Sequence, residues 1–212
     1  MKKVISLVLV VIMIAAALFI LTGCENSGEA KKNANTVEIS KTLGKGTFTL
    51  SVPKNADGTA KYEFTDTKPE GLSVSASFYL VTDTALFGFS NSGLAYHTGT
   101  EYKAKYGETT PTFDGYLALI DDETISSRPK LSGMERFELN GRKALRYYNR
   151  AGGSGDYEYY GYFYLIGVDD IYPGSRTQMT VNYKVDERPK QIQEFDQETL
   201  DIISSLKITL NK

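Results

Sequence analysis

The chain of 212 residues has one cysteine, one histidine, six prolines and no tryptophan. A single thiol cannot close a disulfide within the chain, so the folded part must be held by its core. Zinc sites draw on several His and Cys side chains, and Cys24 with His97 does not supply them; His97 reads as a loop histidine. No serine sits in the Gly-x-Ser-x-Gly turn that exposes a nucleophile in α/β-hydrolases. Gly152-Gly153-Ser154-Gly155 lacks the Gly-Lys-Ser/Thr ending of a phosphate loop and reads as a flexible hairpin turn. The acidic clusters Asp121-Asp122-Glu123 and Asp169-Asp170 lack EF-hand spacing and read as solvated turns or helix ends. Excess positive charge is also missing. With 24 Lys and Arg against 26 Asp and Glu, the net charge is −2, which makes no electrostatic case for nucleic acid. No catalytic residue, metal site or cofactor is expected.

What is present begins at the N-terminus. Met1-Lys2-Lys3 precedes an apolar run from Val4 to Leu21 broken only by Ser6, the layout of an export signal. The run closes on Leu21-Thr22-Gly23-Cys24. This tetrad resembles the lipobox of bacterial lipoproteins. The resemblance implies that Cys24 receives a diacylglycerol group and that a peptidase cuts just before it. Two or more acyl chains anchor a protein stably where one chain does not. The expectation is therefore a lipid-anchored chain on the extracytoplasmic face of a bacterial membrane. It divides into a signal peptide at 1–23, a lipidated Cys24 with a flexible polar tether at 24–44, in which Val37 and Ile39 are the residues placed to pack on the domain, and one globular domain at 45–212. With no covalent staple, that domain is expected to fold as a monomer on its core alone.

Fifteen tyrosines and ten phenylalanines argue against disorder beyond the tether. Residues 46–52 alternate strictly, with Phe48, Leu50 and Val52 on one side, and predict a half-buried strand. A short strand is expected at 61–65. Leu72, Val74, Ala76, Phe78 and Leu80 alternate with Ser73, Ser75, Ser77 and Tyr79 and predict a third. Residues 83–111 read as an irregular excursion with a short helix. Phe113, Tyr116, Leu117 and Ile120 fall at helical spacing behind Thr112, a candidate cap. Asn140-Gly141 between two β-prone runs signals a hairpin. Residues 157–168 are apolar or aromatic on both faces and predict a central strand. Residues 176–185 alternate, a helix is expected near 193–204, and 205–210 close the chain as a strand. Hairpin connections dominate, so the class is α+β, a mostly antiparallel central sheet with flanking helices.

The stretches "FTLSVP", "ELNGRKALRYY", "YYGYFYLIGVDD" and "LDIISSLKI" resemble the PsbP-like family over about residues 45–210. The resemblance implies an α/β/α sandwich. The family's bacterial members include small lipoproteins, its plant relatives are extrinsic subunits of photosystem II, and a related eukaryotic family binds the GTPase Ran; by analogy the shared theme is accessory binding.

The tyrosines supply the candidate site. Strand periodicity puts Tyr160, Tyr162 and Tyr164 on one sheet face. Arg146 and Tyr148 are expected beside them, with Gln178, Thr180 and Asn182 on the other flank. Tyrosine joins an apolar body to a polar tip and is enriched at binding surfaces. At least two of these rings are expected to be exposed and to contact a partner. The reading is a non-enzymatic binding or accessory module for a protein or envelope component; the alternative is a small-ligand or glycan binding lipoprotein, and a hydrolase comes last. A pocket would favour a small ligand, and an open aromatic face would favour a protein. Arg-Pro-Lys occurs at 128–130 and 188–190 and reads as two element-boundary turns.

Overall fold

The strictly alternating run that ends at Pro53 becomes the middle strand of a small sheet. The computed structural model describes residues 34–94, 100–107, 111–153 and 155–211, which belong to one compact unit. Strand β1 (Thr36–Leu43) pairs along its whole length with β2 (Gly46–Pro53). The other side of β2 takes the last strand, β10 (Lys207–Leu210). Phe48, Leu50 and Val52 are all fully buried, as their spacing predicts. The expected boundary at residue 44 is therefore too late. Residues 36–43 are not a tether: Val37, Ile39 and Leu43 pack against the core. Their alternation with polar residues is diluted enough to pass for a linker.

The larger sheet has seven strands in the order β3-β4-β5-β9-β8-β7-β6. These are β3 (Phe64–Thr65), β4 (Phe78–Val81), β5 (Ala85–Gly93), β6 (Glu135–Leu139), β7 (Arg142–Gly153), β8 (Asp156–Gly167) and β9 (Ser175–Tyr183). Every pair is antiparallel. Asn140 and Gly141 both take positive φ, 48° and 78°, in the two-residue turn between β6 and β7. Strand β8 lies between β7 and β9, as its apolar pattern predicts; it is buried on both faces only towards its end, at Tyr162, Tyr164, Leu165 and Ile166, while Asp156 is exposed and residues 157–160 and Phe163 are half-buried. The sheet-rich, mostly antiparallel class is observed, with strands shared between two sheets.

The described residues also form three helices: α1 (Thr100–Tyr106), α2 (Phe113–Asp121) and α3 (Gln197–Ser205). Thr112 caps α2, its side chain accepting from Gly115 N at 3.0 Å. Asp196 caps α3 through Thr199 N at 2.7 Å. The inner face of the large sheet carries Phe87, Phe89, Met179, Val181, Tyr162, Tyr164 and Ile166. It shares one core with Phe48, Leu50 and Val52 of the small sheet and with Ile202 and Ile203 of α3. The outer face is covered in part by α2, through Phe113, Tyr116 and Ile120 against Leu145 and Leu165.

Two expectations need correction here. Residues 72–77 do not form a strand; only Phe78–Val81 does. The preceding segment turns at Gly71, φ +85°, and crosses over the outer face. It can do so because Gly88 has no side chain: a Cβ there would lie 2.9 Å from Leu72 Cδ2 and 3.1 Å from Ala76 Cβ. Residues 85–93, read as irregular, form a nine-residue strand inside the sheet. Its glycines and serines hid the alternation of Ala85, Phe87 and Phe89, all fully buried. Cys24, the signal segment and His97 lie outside the described residues.

Candidate functional site

The structure does bring Arg146 together with Tyr148, Tyr162 and Tyr164. Arg146 is the ladder partner of Tyr164, and Tyr148 that of Tyr162. Their surroundings differ from the expectation. Tyr162 and Tyr164 are each 2% exposed, so they are core residues and present no ring to a partner. The segment before α3 closes over them: Phe195 lies 5.7 Å from the Tyr162 ring, and Glu194 accepts from Tyr162 Oη at 3.2 Å. Arg146 stacks over Tyr162 at 4.6 Å, donates from Nε to Glu135 at 2.8 Å and pairs with Glu194 at 3.1 Å. Burial acts to lower the Arg146 pKa, but the hydrogen bonds to Glu135 and Glu194 outweigh it and hold the pKa above its ordinary value. Burial, first, pushes the Tyr164 phenol up to about 12. The cluster is a closed ion-pair roof over aromatic core.

Two registers explain the miss. In β9 the ladder partners of Tyr162 and Tyr164 are Val181 and Met179, not the polar residues. Gln178, Thr180 and Asn182 point to the outer face, opposite Leu165, Phe163 and Gly161. The second register is a bulge: pairing slips between Asn149 and Arg150, and Tyr160 is the residue left over. Tyr159, in place of Tyr160, meets Tyr148, at 5.6 Å. The bulge requires Gly161, whose φ is +140° and whose Cβ would lie 2.2 Å from Val181 O.

Tyr160 thereby leaves the core face and lines a cleft at the end of the sheet. The cleft has a volume of about 640 Å³, and its walls include Glu70, Tyr159, Tyr160, Val185, Arg188 and Lys190. Arg188 lies over the Tyr160 ring at 4.2 Å. Glu158 accepts from Arg188 and from Lys190, each at 3.2 Å. The bond with Lys190 is the main reason the Glu158 pKa lies below its ordinary value. Tyr159 N donates to Pro189 O at 3.0 Å, which pins the 188–190 segment against β8. The second Arg-Pro-Lys is therefore a cleft wall, a role its three residues alone did not signal. Val185, 55% exposed, adds an apolar contact at the rim.

No family model matches this chain, and no curated protein is significantly similar to it.

The other candidates are absorbed into the scaffold. Asp170 pairs with Arg142 at 2.6 Å, and Asp169 Oδ2 accepts from Phe113 N at 2.8 Å, so this acidic pair serves the start of α2 and the β6–β7 turn, while Asp169 Oδ1 is buried without a partner among the described residues. Asp121 pairs with Arg136 and Asp122 with Lys105. Among the described residues no three of His, Cys, Asp and Glu converge as around a metal ion.

Proposed function

We propose that this chain is a lipid-anchored extracytoplasmic lipoprotein, attached through Cys24, whose folded unit is a non-enzymatic binding module of the PsbP-like α/β/α type. The location rests on the Leu21-Thr22-Gly23-Cys24 motif behind an apolar run. The family reading is supported by helices on both faces of the large sheet, α2 outside and α3 inside. The single observation that carries the binding role is the cleft built around Tyr159, Tyr160 and Arg188. Its volume of about 640 Å³ suits a small ligand, since such sites span roughly 300–1,000 Å³. Half-buried tyrosine rings beside charged side chains suit a glycan or a similarly sized envelope component better than a flat protein face.

The test is titration of the detergent-solubilised full chain with soluble cell-wall glycan oligomers, for wild type and Tyr160→Ala. Saturable binding that weakens by about tenfold in the variant, with the thermal midpoint nearly unchanged, supports the reading. Glycan binding of equal strength in both proteins, or none in either, removes the cleft as the site.

A further inference from the structure

A guanidinium keeps its charge at any physiological pH, so a half-buried arginine is normally satisfied by oxygen acceptors. Six of the seven arginines obey this. Arg128, Arg136, Arg142, Arg146, Arg150 and Arg188 each reach at least one carboxylate, carbonyl or hydroxyl oxygen. Arg176 is the exception. Among the described residues its guanidinium forms no ion pair and no hydrogen bond, and its Nε is shut off from solvent without a partner. Among the described residues the buried hydroxyl Oγ of Ser92 is also without a partner. The two are not scattered: Ser92 and Arg176 stand directly opposite each other in the β5–β9 ladder, so both side chains project from the outer face. One row further on come Ser90 and Gln178, both half-buried. The Gln178 amide has only a long contact, 3.5 Å, to Thr180 Oγ1.

Aromatic rings flank this row of donors. The Arg176 guanidinium lies 4.9 Å from the Tyr116 ring centre, which fixes its position beneath α2. Tyr147 and Phe163 form a tilted pair with centres 5.1 Å apart, half-buried on the same face. Burial, then the charge of Tyr116, raises the Tyr147 phenol to about 12, while Arg176 acts to lower it; the unpaired charge of Arg176 thus reaches across this face. Within the row Arg176 carries the only charge, and the other polar groups are neutral; the remaining buried atom without a partner among the described residues, Asp169 Oδ1, belongs to the carboxylate that accepts from Phe113 N at the start of α2. A single guanidinium with neutral donors balances a singly charged oxyanion better than a phosphate dianion, and its planar fork matches a carboxylate. The rings supply contact for a flat apolar body.

The geometry points to a binding site on the outer face, centred on Arg176 and Ser92, for a small organic carboxylate with a planar apolar body. The site lies at the opposite end of β9 from the Tyr160 cleft and does not depend on it. Benzoate is the probe, with benzamide as its uncharged analogue and inorganic phosphate as the competing oxyanion. Each is titrated into the detergent-solubilised full chain, and the readouts are calorimetry and the Arg176 Nε–H signal in ¹⁵N-arginine spectra. Benzoate should bind saturably and shift the Nε–H signal that is absent from Arg176→Lys. Benzamide should bind at least about tenfold more weakly. Arg176→Lys, which keeps the charge but loses the fork, and Ser92→Ala should each weaken benzoate. Tyr160→Ala should leave it unchanged. Benzoate binding that is unsaturable, equalled by benzamide, or intact in both Arg176→Lys and Ser92→Ala would overturn the site. Phosphate binding more tightly than benzoate would overturn the carboxylate assignment.

Discussion

Arg146 and Arg176 occupy comparable positions on opposite faces of one sheet. Each comes from a strand of the seven-stranded sheet, each is partly covered, and each lies over a tyrosine ring, at 4.6 and 4.9 Å. Arg146 has two carboxylates, Glu135 and Glu194; Arg176 has none among the described residues. The tyrosine beneath Arg146 is buried core, and its strand neighbours are Val181 and Tyr148. The tyrosine beneath Arg176, Tyr116, is buried as well, but the row beside Arg176 carries serines, a glutamine and the half-buried rings of Tyr147 and Phe163. A cation–π contact is therefore no guide to function by itself. The oxygen partners separate the structural arginine, whose hydrogen bonding is satisfied, from the one still able to bind something.

The largest effect should come from the ring under Arg146. Tyr162→Ala removes a buried aromatic and should cost about 3–5 kcal/mol of stability, measured by urea unfolding. A loss under about 1 kcal/mol would mean the inner face is not the core described here. Next come the arginines themselves. Arg146→Met should cost about 1–2 kcal/mol, a moderate figure because Glu135 and Glu194, about 60% exposed, can be rehydrated. Arg176→Met should stay within about 0.5 kcal/mol of wild type, because it breaks no ion pair among the described residues. Equal costs for the two would break the comparison and assign Arg176 a structural role.

Alkaline pH probes the rings on both faces. Tyr62, Tyr147 and Tyr164 are each raised from an ordinary 10.0 to about 12, with burial the largest cause. A phenol whose pKa is higher folded than unfolded favours the folded state only while it stays protonated. Stability should thus be complete below pH 10 and fall as the pH rises towards about 12. Denaturant midpoints across that window check this; a flat profile would refute the burial of these phenols. The smallest expected change is in the Tyr147 titration, followed by phenolate absorbance. Arg176→Met removes a positive charge that lowers this pKa, so the Tyr147 titration should move upward, whereas Arg146→Met should leave it in place.

Much of the fold was legible because some signals are local. Phe48, Leu50 and Val52 alternate and are buried; Thr112 caps α2; Asn140-Gly141 turns a hairpin; the continuous apolar run of β8 is central. Each depends on backbone geometry within a few residues. Strand β5 was missed because Gly88, Ser90 and Ser92 break its apolar pattern, and the same residues make room for Leu72 and line the row beside Arg176. Strand β1 was missed because a polar edge strand resembles a linker until its partner is known.

The site was less legible, for a reason particular to sheets. Alternation within one strand tells which side chains share a face of that strand, so the sequence by itself determined that Tyr162 and Tyr164 lie together and that Gln178, Thr180 and Asn182 do. It could not relate the two sets, because the phase between strands is set by register. Only the tertiary structure decided that Met179 and Val181 face the tyrosines, that the bulge at Gly161 turns Tyr160 out into the cleft, and that Ser92 stands opposite Arg176. A one-residue shift exchanges the two faces of a strand, and that shift is fixed by the packing of the whole sheet against β2, α2 and α3.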